Sequence, residues 1–465
     1  MKNLFKTRAA RADGIRGILS AFDACLPKPV TAFGVEKMNG AGSVSEARRK
    51  ANAEALAVLN SEPDPLLLTD AQKEKLRGYT GRGGIGDSTN EYYTPKVIAE
   101  AVWGMLASYG FEGGNVLEPS CATGVFNETK LPGAIITGAE VDPTSSQINQ
   151  LLHPDDTIYN MPFEALAKVT PDGTFDAVVG NAPFGGRMNT FANQDDVYRD
   201  FKTNEQYFVM RSIDKVKPGG LVSLIVNTSV VSTKSLNKFR AAVAKKAEFL
   251  GAHRFPSGVF GASGSDSVVT DVVVFRKHPE DLAERIAGLS DAVLKDANVL
   301  WDTFLSGNWF KEDGLKFVHG QVLEGAGNWG SDLVVIPGLP KAEAGKRLTP
   351  DQRIEKANKI DAHNAMMAKK LSQRFESRID WELLESAEPD LPSYTDGDRR
   401  TINGRWHEMV DGQWLPVAVL EAVGGLDESK YGFSSITALR DGVSAPLAAI
   451  KLPFNQLAAI HNKLR

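Results

Sequence analysis

Between residues 95 and 280, short apolar runs alternate with segments of helical periodicity, and this alternation constrains the fold more than any other feature. Asn115–Leu117, Ala134–Val141, Thr157–Tyr159, Phe175–Val179 and Leu221–Val226 read as strands. Helices are predicted from Pro95 to Ser108 and at Ser145–Leu152, Glu205–Val216 and Lys234–Lys246. Strands that alternate with helices pair in parallel and bury the helices against the sheet faces, so the expected class is α/β with a doubly wound sheet. Phe175–Val179 has the composition of a strand covered on both faces. Phe249–Phe255 and Val268–Arg276 follow with no comparable helix between them, which predicts an antiparallel pair at the sheet edge.

The flanks differ in character. Residues 1–90 read as a helical N-terminal extension: 1–45 irregular, Ser45–Leu59 amphipathic, then a helix capped by Thr69-Asp70 and the glycine-rich Tyr79–Gly84. The α/β domain occupies 91–280, and 281–348 is expected to be irregular. Thr349-Pro350 opens a long polar helix to about Arg378, within a connecting segment 349–393. Residues 394–465 read as a small β module, with Asn403-Gly404 and Asp411-Gly412 as turn signals, and a helical tail.

Composition removes several classes. Two cysteines, Cys25 and Cys121, cannot form a disulfide framework. No apolar run approaches the ~18 residues of a membrane span, and the basic N-terminus lacks a secretory core, so a cytoplasmic chain is expected. A net charge of −5 excludes a uniformly basic surface. Residues 1–90 nevertheless carry 14 Lys/Arg against 10 Asp/Glu, and 341–378 carry 10 against 5, so a DNA partner would be met through local patches. The seven histidines show no metal-ligand spacing, and no metal site is expected.

Val116-Leu-Glu-Pro-Ser-Cys-Ala-Thr-Gly-Val-Phe126 lies at the end of the first strand, where doubly wound folds bind ligands. Glu140 ends the next strand, 22 residues beyond Glu118, an offset at which an acid can accept both ribose hydroxyls. The loop has no Gly-Lys-Ser/Thr and no full GxGxxG, and its acid would repel a pyrophosphate. A nucleoside carrying a cationic sulfur and an amino group fits instead, as S-adenosylmethionine does. An ordinary strand-to-helix turn is the competing reading.

Asp176-Ala-Val-Val-Gly-Asn-Ala-Pro-Phe-Gly185 follows the fourth strand. An exocyclic adenine amine is a poor nucleophile because its lone pair is delocalised. Two acceptors on its N–H groups would draw the nitrogen toward tetrahedral geometry; the Asn181 side chain and the Ala182 backbone can supply them. Pro183 would stiffen the turn and Phe184 would stack on the base. The alternative is a surface turn closed by Pro and Gly.

Tyr92-Tyr93-Thr94-Pro95, Glu118-Pro119-Ser120, Glu140 and Asn181-Ala182-Pro183-Phe184, in this order, resemble the γ-type N6-adenine DNA methyltransferases. More narrowly the chain is similar to the methylase part of phage and plasmid methylase–helicase antirestriction proteins, from about Ala47 through TDVVVFRK at Thr270–Lys277. The resemblance implies a Rossmann-like class I methyltransferase sheet, S-adenosylmethionine as cofactor and DNA as partner. The helicase half has no counterpart here, which implies a separate helicase or translocase. It further implies that Tyr93, Thr94 and Pro95 approach the cofactor with Glu118, Pro119, Ser120, Ala122, Gly124 and Glu140, and that Phe163 and Glu164 flank its adenine. Phe260 would cover the second face of the flipped base, or belong to the core; Tyr92 and Tyr93 are pocket wall or packing. Ala122 departs from the usual glycine and Ala182 from the usual proline.

Related loops also serve methylation of RNA guanine and of glutamine in proteins, so RNA and protein are alternative substrates. A decayed, DNA-binding or virion-associated protein is the non-catalytic alternative, with Ala122 its main support. Lys369-Lys370 with Arg374 and Arg378 read as one helix side, solvated or phosphate-contacting. Trp406 and Trp414 read as a small core or a stacking surface.

Overall fold

Seven strands form one sheet: β1 (Gly114–Glu118), β2 (Ala134–Ala139), β3 (Thr157–Tyr159), β4 (Phe175–Asn181), β5 (Val216–Asn227), β6 (Ala247–Phe255) and β7 (Thr270–Lys277). Their order is β3-β2-β1-β4-β5-β7-β6. Strands β1 to β5 are parallel, while β7 runs antiparallel to both β5 and β6. This is the doubly wound arrangement that the resemblance to class I methyltransferases implies. The computed structural model describes residues 46–61, 63–81, 93–187, 189–260, 268–326, 332–340, 346, 348–387, 397–402, 405–410 and 413–416. Residues 1–45, the Gly83-Gly84 pair, Tyr92, the turns Asn403-Gly404 and Asp411-Gly412, and the C-terminal tail lie outside the described residues.

The expected edge pair is present, but it is not simply appended: β7 enters between β5 and β6. Val272–Phe275 is wholly buried, as a strand with neighbours on both edges and cover on both faces requires. The fifth strand begins earlier than expected, at Val216, because Phe175 pairs with Val216 before a register shift and Gly219 takes φ +76°.

Helices α1 (Glu46–Leu59) and α2 (Asp70–Arg77) precede the sheet. Thr69 and Gln72 form a capping box that starts α2, and Ala55, Val58, Leu76 and Tyr79 bury together with Ile148. Tyr79 thus packs, and the following Thr80 N–H donates to the Asn52 side chain at 2.9 Å. Helix α3 (Lys96–Ser108) buries Ile98, Val102, Trp103, Met105 and Leu106. Burial of each such aliphatic or aromatic side chain stabilises by about 1.5–3 kcal/mol relative to exposure. Among the helices between the strands are α4 (Val125–Glu128), α5 (Pro143–Leu152), α6 (Phe163–Val169) and α7 (Asn204–Lys215). The helix expected at Lys234–Lys246 is a 3₁₀ turn, Lys234–Leu236, followed by α8 (Asn237–Ala244).

The stretch expected to be irregular instead contains helices Glu280–Gly288, Asp291–Asp296 and Asp302–Ser306 and a hairpin of β8 (Gln321–Leu323) with β9 (Leu333–Val335). Its aromatic residues find partners on the sheet: Phe304 stacks on Phe249 at 4.0 Å, and Trp309 is buried against Phe249 and Phe317.

Helix α9 (Pro350–Leu371) is capped by Thr349 and ends at Leu371, short of the expected Arg378. It is not a free connector, because Ile360, Met367 and Leu371 are buried. Beyond it Phe375 packs on Gly251, where a side chain would lie 2.5 Å from its ring. Tyr109 holds the same segment by accepting from the Phe375 N–H at 2.7 Å. Arg374 lies over the Tyr109 ring and Arg378 over Trp301, so the four basic residues do not form one helix side.

Three dispersed histidines also meet. His253 Nδ1 and His319 Nε2 are 2.9 Å apart with stacked rings, and the His363 ring bonds to the His319 backbone. Burial lowers the affinity of all three for a proton.

The chain divides into two compact units at Pro389/Asp390. In the second, β10 (Arg399–Ile402), β11 (Arg405–Val410) and β12 (Gln413–Pro416) form an antiparallel sheet. Trp414 pairs with Met409, while Trp406 pairs with Thr401 on the opposite face and is 61% exposed. The two tryptophans therefore share no core.

Candidate active site

Strands β1 and β4 are neighbours whose chains depart in opposite directions across the sheet, β1 toward β2 and β4 toward β5. Such a switch point opens a crevice at the carboxyl ends of the strands. A cavity lies there, and the loops after β1, β2 and β4 contribute to its wall.

The first loop turns sharply at Cys121–Gly124. Ala122 adopts φ +44°, a left-handed conformation that a glycine takes more readily. Its N–H donates to Glu140 Oε2 at 2.8 Å, and the Asp142 N–H donates to Glu140 Oε1 at 2.7 Å. The carboxylate at the end of β2 is thereby held between two backbone amides. Beneath the turn, Asn149 donates to Asn127 Oδ1 at 3.2 Å, and Asn127 donates to Asp156 at 3.0 Å. Cys121 is buried in the space left by Gly138, where a Cβ would stand 2.7 Å from its sulfur.

The loop after β4 faces the same cavity. The Ser120 hydroxyl donates to the Asn181 carbonyl oxygen at 2.6 Å, so the side chain expected to meet a cofactor joins the two loops. The Ala182 N–H donates to Ile225 O at 3.0 Å, and the Gly185 N–H donates to Glu205 Oε1 at 3.1 Å. The Asn204 N–H closes the turn on Gly185 O at 2.9 Å.

Of the residues singled out from the sequence, the cavity wall brings together Tyr93, Pro119, Ser120, Ala122 and Glu140. It also includes Phe163, Glu164 and the whole of Asn181, Ala182, Pro183 and Phe184. Phe163 belongs to a ring cluster as well, 5.0 Å from Phe208. Thr94, Pro95, Glu118, Gly124 and Phe260 are not part of the wall. Pro95 caps α3, and Thr94 is buried beside it. Gly124 takes φ +93°, and a Cβ there would stand 2.5 Å from Asn149 Oδ1, so this glycine serves loop packing. Phe260 is 2% exposed and packs toward Phe255, which makes it core.

Glu118 lies one residue behind the wall, 2% exposed, with Oε2 making no hydrogen bond. Burial, then the neighbouring Asp156 and Glu140 charges, push its carboxyl well above the usual range. Glu164 is raised by burial even though Arg187 Nε lies 3.4 Å from its Oε1. No Lys or Arg is among the described residues that line the cavity, whereas Glu140, Asp142 and Glu164 are. These acceptors therefore suit a cationic ligand with hydroxyl groups and disfavour a phosphate.

Asp142, Met161, Phe191, Asn204 and Phe208 also line the cavity and were not singled out from the sequence. Asp142 had a legible signal, since it caps α5 through the Ser145 N–H. Phe191 and Asn204 reach the wall only through the path of the chain after Gly185.

Several known proteins are similar to parts of this chain. Residues 129–260 match the Eco57I restriction-modification methylase family. That stretch is less than a third of the chain. It contains β2 to β6 and the Asn181–Phe184 turn, and begins just after the loop that follows β1. The chain is 43% identical over 433 residues to Defense against restriction protein B of Escherichia phage P1, covering 93% of this chain and 18% of that protein. It is 24% identical over 147 residues to Type II methyltransferase M.CvrRI of Paramecium bursaria Chlorella virus XZ-6E, covering 31% of this chain and 37% of that protein. The chain thus spans only a minor part of the length of either relative. Among solved structures, the type I restriction-modification system methyltransferase subunit from Streptococcus thermophilus superposes with a TM-score of 0.36 and 15% identity, covering 47% of this chain and 52% of that one. No described helix is long and apolar enough to cross a membrane.

Proposed function

We propose that this chain transfers a methyl group from S-adenosylmethionine to the N6 amine of adenine in DNA. One observation carries the reading: a single cavity is lined both by Glu140 with the loop after β1 and by the complete Asn181–Phe184 turn. Glu140 accepts the ribose hydroxyls while keeping its backbone amides, since a carboxylate has about four acceptor sites. Glu118, buried one residue behind the wall with one oxygen lacking a hydrogen bond, holds the amino group of the methionine end directly or through a water. Met161 and Phe163 border the adenine. When bound, the cofactor supplies a methyl group on a positively charged sulfur.

The Asn181 side-chain carbonyl accepts one N–H of the target amine and the Ala182 backbone carbonyl accepts the other. Phe184 stacks on the extruded base. The contribution of the protein is positioning, which in well-oriented systems supplies up to about 7–11 kcal/mol of a barrier. Because the target is a base in DNA and the first relative is a defence-against-restriction protein, the product serves to protect DNA from restriction. A separate helicase or translocase is the proposed partner, as the resemblance to methylase–helicase antirestriction proteins implies.

The test is transfer of a tritiated methyl group to DNA, RNA and protein, with mass spectrometry of digested DNA for N6-methyladenine. Label in RNA or protein alone would move the reading to those substrates. Failure to bind S-adenosylmethionine would leave a non-catalytic protein.

A further inference from the structure

We infer that Glu205 is a positioning residue that holds the catalytic turn in shape through the Gly185 amide. The inference rests on the methyltransferase reading of that turn. Glu205 is the second residue of α7, directly after Asn204, whose N–H closes on Gly185 O. Its side chain reaches back across the turn, and Oε1 accepts the Gly185 N–H at 3.1 Å. The residue is only 2% exposed. No Lys, Arg or His among the described residues pairs with it. Its Oε2 makes no hydrogen bond, and its own backbone N–H and the Thr203 hydroxyl lie close enough to favour the charged form.

A buried carboxyl without a cation is costly, and such a group persists where it satisfies something specific. Here that is the amide at the exit of the Asn181–Phe184 turn. Burial raises the proton affinity of Glu205, and the neutral acid still offers a carbonyl oxygen to Gly185. At the entrance to the turn, the Ala182 N–H is bound to Ile225 O and the Asn181 carbonyl to Ser120. Backbone bonds and Ser120 thus secure one end; at the other the Asn204 N–H closes on Gly185 O and the Arg187 N–H donates to Lys202 O at 2.9 Å, which leaves the Gly185 N–H to Glu205. A charge is not required, only an acceptor at that distance. Glutamine supplies it, aspartate falls one methylene short, and alanine has none.

Three variants of the full chain test this: Glu205→Gln, Glu205→Ala and Glu205→Asp. The first readout is hydrogen exchange of the peptide covering 182–187, which needs no substrate. Glu205→Gln should protect it as the parent does, and Glu205→Ala and Glu205→Asp should exchange at least tenfold faster. The second is S-adenosylmethionine affinity by calorimetry, which should change less than threefold in all three. The third is methyl transfer to mixed-sequence DNA: kcat should fall at least tenfold in Ala and Asp, with parental kcat restored in Gln. Equal exchange in Gln and Ala variants would overturn the assignment, as would cofactor affinity falling in parallel with kcat. If Glu205→Ala does not fold, Glu205→Asp against Glu205→Gln carries the same comparison. A parent inactive on DNA would refute the proposed reaction, while the exchange comparison would still decide the role of Glu205.

Discussion

Two reciprocal substitutions in the loop after β1, two residues apart, should have opposite effects. Ala122 carries φ +44°, and a left-handed conformation costs a non-glycine residue about 1–2 kcal/mol. Glycine avoids that strain but loses about 0.5–1 kcal/mol more in backbone entropy on folding. Ala122→Gly should therefore stabilise the fold by about 0.5–1 kcal/mol. The backbone N–H that donates to Glu140 is retained, so S-adenosylmethionine should bind as well as or better than in the parent. Gly124→Ala meets the reverse situation. Its φ is +93°, and the new Cβ would lie 2.5 Å from Asn149 Oδ1 and 2.7 Å from His153 Cδ2. Asn149 is fully buried and bonded to Asn127, so it cannot retreat. Overpacking costs about 1–3 kcal/mol and the conformation about 1–2 kcal/mol, which gives a loss of about 2–4 kcal/mol after the entropy gain. Urea denaturation at pH 7 reads both, as shifts of the midpoint at constant slope. The reasoning fails if both variants move the midpoint in the same direction, or if Ala122→Gly binds the cofactor markedly more weakly.

Three further outcomes are expected. Glu140→Ala removes the acceptor of two backbone amides and of the ribose hydroxyls; charge-assisted bonds are each worth about 1.5–3 kcal/mol, so calorimetry should show cofactor affinity at least tenfold weaker. Asn181→Ala should abolish methyl transfer while cofactor affinity stays within about threefold of the parent; parental turnover on DNA would exclude the assigned chemistry. His319 is buried with its pKa lowered to about 4, so the unfolded chain binds its proton first on acidification. Its contribution is fully present above about pH 6.5 and declines as pH falls toward 4, on the order of 2 kcal/mol by pH 5. The stability difference between parent and His319→Asn should shrink by that amount between pH 7 and pH 5, and a pH-independent difference would show that His319 already carries its proton in the fold.

Local patterning determined much of this protein. The run Phe175–Val179 could only be a strand covered on both faces, and β4 stands at the centre of the sheet with Asn181 at its carboxyl end. Glu140 at the end of β2 and the Asn-Ala-Pro-Phe turn after β4 were legible for the same reason, since strand periodicity alone puts both at one edge. Tertiary structure decided the rest, wherever a position depends on partners distant in the chain. The entry of β7 between β5 and β6 depends on which strand supplies a fully apolar stretch for two neighbours. Gly124, expected at the cofactor, is committed to Asn149 and His153 on α5 and just beyond it. Phe260 could be called base platform or core until Phe255 was seen beside it. Arg374 and Arg378 lost their place on a basic helix face because α9 ends at Leu371 and the chain turns to bury Phe375. Glu205 reads in the sequence as an ordinary acid in a first helical turn. Only the fold, by laying the start of α7 against Gly185, turns its side chain into the partner of the amide that follows the Asn181–Phe184 turn.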